Sequence, residues 1–179
     1  MPAIVCLLRG VNVGGNHKIK MDALRSLCQS LKLGNVQTYI QSGNVVFTVP
    51  GKDLPALASR LESAIEKSCG FRPDVVLRTL AEMRAVVAQN PFSAREGIEP
   101  GKLLVTFFDA DVSEKIKSLK VSNEELRSAG RELYIYFPNG QGQSKLSFAP
   151  FDRVPKIKWT GRNWNTVMKL VEMAASLET

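Results

Sequence analysis

Two polar segments near the ends of the chain hold the residue types that proteins use to grip anions. The first is Arg9-Gly10-Val11-Asn12-Val13-Gly14-Gly15-Asn16, with His17, Lys18 and Lys20 just beyond it. The second is Thr160-Gly161-Arg162-Asn163-Trp164-Asn165-Thr166. Each couples an arginine to backbone that allows close approach or to a helix start, where unpaired N–H groups and the helix dipole attract negative charge. The glycine spacing at Gly10, Gly14 and Gly15 departs from the dinucleotide fingerprint G-x-G-x-x-G, and no Gly-Lys-Ser/Thr follows to make a phosphate loop. What remains is a glycine-rich strand-to-helix connection that either forms an anion nest or only permits a tight path. A third polar turn, Ser42-Gly43-Asn44, separates two strand-like runs. The candidate ligand-binding set is therefore Arg9, Asn12, Gly14, Gly15, Lys18, Ser42, Asn44, Arg162 and Asn163. Were these motifs to serve one site, Arg9, the Ser42-Gly43-Asn44 turn and Arg162 would approach one another.

Other chemistries find little in the sequence. His17 is the single histidine, which disfavours His-dependent catalysis and His-rich metal sites. Cys6, Cys28 and Cys69 are widely spaced and odd in number, as expected of buried free thiols rather than a zinc site or a disulfide framework. The carboxylates are scattered, with no dyad and no metal cluster, so neither a metal nor another cofactor is expected. Base stacking on a sheet, as in RNA-recognition-motif domains, needs two or three exposed aromatics on central strands. Phe47 alone is available there, in register with Val45 and Val49 and so directed at the core. Tyr134 and Tyr136 share one face of a later strand, where a partly exposed pair would suit a protein contact. Trp164 has two readings, a stacking platform or a helix anchor in line with Val167 and Val171.

The elements that must position these residues are legible from periodicity. Ala3–Leu8 is a continuous apolar run, the pattern of a strand buried on both faces. Met21, Leu24, Leu27, Cys28 and Leu31 recur at helical spacing, with Gly34 read as the stop. Val36, Thr38 and Ile40, then Val45, Phe47 and Val49, flank the hairpin turn. Asp53 caps a second helix, with Pro55 near its start, an apolar stripe from Leu54 to Ile65, and Gly70 at its end. Asp74–Thr79 is a further strand. This β-α-β-β-α-β order predicts an α+β fold of the ferredoxin-like, split β-α-β kind, with antiparallel sheets and helices on one face. Ala81–Gln89 reads as a linking helix, broken at Asn90-Pro91.

The second half repeats the order less completely. Leu103–Phe108 is a strand, Val112–Leu119 a short helix, and Glu125–Ser128 with Glu132–Phe137 a hairpin around Ala129-Gly130. Ser144–Phe148 stands where a second helix belongs, and no recognisable final strand follows. A last helix carries Trp164, Val167, Met168, Val171 and Ala174 on one face. The expected organisation is a ferredoxin-like subdomain over residues 1–90 and a second α+β subdomain over 91–179, incomplete and ending in a helix. Arg162 then lies at that helix's start, where an exposed arginine could be truncated without loss of stability.

Composition bounds the partners. The chain of 179 residues carries 24 basic and 17 acidic side chains, a net charge of +7 that favours anionic partners. Arg153, Lys156, Lys158, Arg162 and Lys169 face one acid, Asp152, between Phe151 and Lys169. No run approaches the roughly 20 apolar residues of a membrane span, and the first residues lack the basic region of a signal peptide, so a cytosolic protein without a membrane partner is expected. The function these features point to is binding of a phosphate-bearing ligand, a nucleotide or RNA, through basic, glycine-rich loops. An enzyme acting on a small anion, with Arg9 and Arg162 as clamps, and a protein-interaction module are the alternatives.

Four segments occur in one order: Leu7-Leu8-Arg9-Gly10-Val11-Asn12-Val13-Gly14-Gly15, Thr38-Tyr39-Ile40-Gln41-Ser42-Gly43-Asn44-Val45-Val46-Phe47, Asn90-Pro91-Phe92 and Arg162-Asn163-Trp164-Asn165-Thr166-Val167. Together they closely resemble an uncharacterised bacterial family, domain-of-unknown-function family 1697. The resemblance implies an α+β protein with ferredoxin-like halves. It implies no activity, cofactor or catalytic residue to carry over.

Overall fold

A computed structural model describes residues 1–40, 43–153 and 155–178. The fold is α+β, and the described residues form two four-stranded antiparallel sheets and four α-helices. The chain divides into two compact units, Met1–Arg84 with Lys169–Thr179, and Ala85–Met168. The division falls inside the third and fourth helices.

In the first unit, β1 (Ala3–Leu8), α1 (Met21–Ser30), β2 (Gly34–Tyr39), β3 (Asn44–Thr48), α2 (Leu54–Cys69) and β4 (Val75–Thr79) follow one another. The strands pair in the order β2-β3-β1-β4, the topology of a split β-α-β unit. Every residue of β1 is buried, which is why its sequence is continuously apolar. Ile4, Cys6 and Leu8 join Val45, Phe47, Val75 and Leu77 beneath Leu24, Leu27 and Cys28 of α1 and Leu57, Leu61 and Ile65 of α2. Burial in that core pushes the Cys28 thiol up to about 12. Asp53 caps α2 by accepting from Ala56 N at 3.0 Å, and Gly70 ends it in the left-handed region at φ 80°. Gly34 plays another part than a stop. After α1 it is Lys32 that turns left-handed, at φ 64°, while Gly34 opens β2 where a Cβ would lie 2.7 Å from Thr48 Oγ1. Close strand approach, not helix termination, requires that glycine.

The second unit repeats this order in β5 (Leu103–Phe108), β6 (Glu125–Ala129), β7 (Glu132–Tyr136) and β8 (Trp159–Asn163), paired as β6-β7-β5-β8. What it lacks is the pair of covering helices. A 3-10 turn at Lys115–Ser118 replaces the first, and 3-10 turns at Gln141–Gln143 and Ala149–Asp152 replace the second. Pro138, Gly140, Gly142, Pro150 and Pro155 interrupt any longer helix there. Aromatic rings fill the space instead: Phe151 lies 4.7 Å from Phe108 and 5.8 Å from Phe148, which is 4.8 Å from Trp159. Tyr134 and Tyr136 are buried rather than partly exposed, and Phe47 faces the core as its register predicts.

β8 is the strand that periodicity does not reveal. Trp159-Thr160-Gly161-Arg162-Asn163 has no apolar alternation, yet it pairs with β5 from Phe108↔Trp159 to Leu104↔Asn163. α3 (Leu80–Ala88) and α4 (Trp164–Leu177) follow β4 and β8 directly. Thr79 and Glu82 cap α3 reciprocally, at 2.8 and 3.1 Å, and Asn163 Oδ1 accepts from Thr166 N at 3.0 Å to cap α4. The buried stripe of α4 is Val167, Leu170 and Ala174, displaced from the expected one so that Met168 is 44% exposed. No helix among the described residues is long and apolar enough to cross a membrane.

Candidate functional site

The glycine-rich segment leaves β1 and folds back on itself. Asn12 N donates to His17 O and Asn16 N to Val13 O, both at 3.1 Å, so Val13 and Asn16 form a small bridge. Gly14 and Gly15 turn it at φ 60° and 77°, consecutive left-handed positions that glycine occupies without steric cost. The Asn12 side chain closes the base, donating to Ile19 O and accepting from Ile19 N, each at 2.9 Å. His17 stacks on Phe71 at 4.6 Å. The segment is thus a self-sufficient hairpin with Gly14 and Gly15 at its exposed tip and Lys18 exposed near its base.

The neighbouring motif residues are engaged in structure. Arg9 Nη1 lies 3.2 Å from Asp74 Oδ2, and Arg9 N donates to Asp74 O, joining the end of β1 to the start of β4. Asn44 is fully buried and donates from Nδ2 to Tyr39 O at 3.2 Å. Leu8 N donates to Gly43 O at 2.9 Å, so the first motif and the hairpin turn meet at one end of the sheet. Ser42 lies outside the described residues.

Arg162 belongs to the second unit and sits in β8, not in a loop at a helix start. It is 8% exposed, opposite Val105, and Nη1 donates to Thr160 Oγ1 at 2.7 Å and Gly161 O at 2.8 Å. Asn163 serves as the α4 cap. Arg78 occupies the matching place in β4, opposite Val5, 1% exposed, and likewise donates to the carbonyl of the residue before it, Leu77. The two strand-to-helix corners therefore repeat an arginine followed by a capping residue. A shared Arg-Thr or Arg-Asn dipeptide is the only trace of this in the sequence.

The chemistry that sequence reading missed lies between the short turns of the second unit. Lys120, Lys145 and Arg153, from three separate segments, line a cleft of about 340 Å³ that has no acidic side chain in its wall. Among the described residues no ion pair or hydrogen bond engages those three side chains. Nearby acids are engaged elsewhere. Glu114 pairs with Lys117, and Asp152 accepts from Trp159 Nε1 at 3.2 Å. Glu124 is buried and accepts from Ser144 Oγ at 2.6 Å and Ser122 N at 2.9 Å, which holds its carboxyl below the usual glutamate range. The walls are tied together: Lys115 Nζ donates to Pro155 O at 3.3 Å, and Ser118 Oγ to Lys115 O at 2.7 Å. The corresponding groove of the first unit, between α1 and α2, is lined by Ser26, Ser30, Ser68 and Cys69 with apolar neighbours and no charge. Replacing two helices by short turns is what brings distant cations together. Among the described residues no group of three His, Cys, Asp or Glu could hold a metal ion.

Comparison with known proteins agrees with the fold. The chain is similar to a solved structure, the conserved bacterial protein SP0830 from Streptococcus pneumoniae, at 27% identity and a TM-score of 0.74, over 97% of this chain and 98% of that one. No curated protein matches. A family model described as a protein of unknown function, DUF1697, matches residues 1–134, which takes in the first three motifs and leaves Arg162–Val167 beyond it. The chain belongs to the DUF1697 family.

Proposed function

We propose that the protein binds a phosphate-bearing ligand, a nucleotide or RNA. The observation that carries this reading is the cleft of Lys120, Lys145 and Arg153, three cations that have no ion pair or hydrogen bond among the described residues, around a concavity whose described lining contains no acid. Like charges set around one concavity repel one another, and an anion that enters it relieves that repulsion. The exposed turn at Gly14 and Gly15, with Lys18 exposed on the returning arm, offers a second, weaker contact, because Arg9 and Asn12 of the same segment are occupied. An enzyme that uses Arg9 and Arg162 as substrate clamps has less support, since both guanidinium groups hold the protein's own atoms. Three free cysteines suit a reducing, cytosolic setting.

Titration of the full chain with AMP and with single-stranded RNA tests this. Three phosphate contacts predict that affinity for a single strand falls about 20-fold between 50 and 200 mM salt, by counterion release. The variant carrying Lys120→Ala, Lys145→Ala and Arg153→Ala should lose most binding, whereas Lys18→Ala should lose little. No binding of either ligand at 50 mM salt would remove the proposal.

A further inference from the structure

Resting on that reading, we infer that the second-unit cleft takes a terminal phosphomonoester, from a mononucleotide or the 5′ end of an RNA, in preference to internal phosphodiesters. Three features of the cleft select such a group. First, its charge is concentrated: Lys120, Lys145 and Arg153 line one pocket of about 340 Å³. A phosphomonoester brings about −1.5 to −2 charges in one compact group, whereas each diester brings one and spreads the rest along a strand. A single pocket with three cations therefore gains more from the first.

Second, the pocket presents a hydroxyl donor. Ser147 Oγ accepts from Ala149 N at 3.2 Å, which leaves its O–H to donate to a phosphate oxygen. Ser118, by contrast, donates to Lys115 O and is occupied. Third, Leu119, Ala149 and Pro150 give the same pocket an apolar wall, against which the sugar or base attached to a terminal phosphate can pack. The equivalent groove of the first unit shares none of the charge and so offers no such preference.

The experiment compares two RNA ten-mers of one sequence, one 5′-phosphorylated and one 5′-hydroxyl, with AMP and adenosine as small-molecule arms, using the full chain. The phosphorylated RNA is expected to bind at least tenfold more tightly than its hydroxyl twin, or AMP more tightly than adenosine by the same factor. The arm that shows the preference identifies the source of the phosphate. Lys145→Ala with Arg153→Ala should abolish the preference while leaving the circular dichroism spectrum unchanged, because both side chains are exposed. Equal binding within both pairs, lost together in that variant, would overturn the end preference and leave the broader phosphate-binding reading standing. A preference that survives the variant would overturn the assignment to this cleft. Absence of binding by all four ligands would defeat both readings.

Discussion

Truncating Arg162 to alanine is predicted to destabilise the protein strongly, the reverse of what an arginine exposed at a helix start would do. The side chain is 8% exposed, and one guanidinium nitrogen holds both Thr160 Oγ1, at 2.7 Å, and Gly161 O, at 2.8 Å. Thr160 is itself only 3% exposed, so its hydroxyl is left without that donor. Hydrogen bonds from a charged donor contribute about 1.5–3 kcal/mol each, and two buried methylenes of the stem add about 0.8 kcal/mol apiece. Such terms overlap, and a net loss of about 3–5 kcal/mol is expected, in the range for breaking a buried charge network. Urea unfolding followed by tryptophan fluorescence is the natural assay, because the chain's two tryptophans, Trp159 and Trp164, bracket Arg162 in β8 and α4. With a urea dependence of about 2 kcal/mol per molar, the midpoint should fall by about 1.5–2.5 M. Arg162→Lys keeps stem and charge but loses the guanidinium geometry, and should recover about half of the loss. Thr160→Val removes the bond to Thr160 Oγ1 and should cost about 1 kcal/mol. A loss below about 1 kcal/mol for Arg162→Ala would refute the reasoning and return Arg162 to the set of residues free to meet a ligand.

Four further outcomes follow from the packing. Gly43→Ala should destabilise by about 2 kcal/mol or more, because φ is +79° and the new Cβ would stand 2.8 Å from Leu8 Cβ and 3.2 Å from Leu8 O; a urea midpoint unchanged from wild type would contradict this. Thr106→Val should stabilise by about 1 kcal/mol, since the buried Thr106 Oγ1 has no hydrogen-bond partner among the described residues, and thermal unfolding reads the sign directly. Glu124, lowered by hydrogen bonds from Ser144 and then Ser122, contributes stability that is present above its ordinary value of 4.5 and lost as pH falls through its lower folded value. The stability difference between wild type and Glu124→Gln should therefore shrink on acidification below about pH 4.5, and a flat difference would argue against the bonded carboxylate. Finally, iodoacetamide at pH 8 should modify half-buried Cys69 and spare Cys28, whose thiol, buried and raised to about 12, is almost wholly protonated; mass spectrometry of the labelled peptides decides.

What the sequence determined by itself was the part written in periodic burial. The apolar run of Ala3–Leu8, the stripes of α1 and α2, the Asp53 cap and the Gly70 terminus each state a local preference that the tertiary fold also satisfies, and so the first split β-α-β unit was legible. The tip glycines were legible for the same reason, because two left-handed positions in succession admit little else. Three things were decided only by the tertiary structure. β8 is a strand because β5 offers an open edge to pair with, and its buried residues, Thr160 and Arg162, are polar, so no hydrophobic alternation announced it. The roles of Arg9, Asn12, Asn44 and Arg162 depend on partners that sequence does not specify, and those partners turn candidate ligand-binding groups into supports for loop, hairpin and strand. The cleft of Lys120, Lys145 and Arg153 was invisible because its cations lie far apart along irregular chain, where charge has no period to read, and only the packing of short turns over an aromatic core sets them around one space.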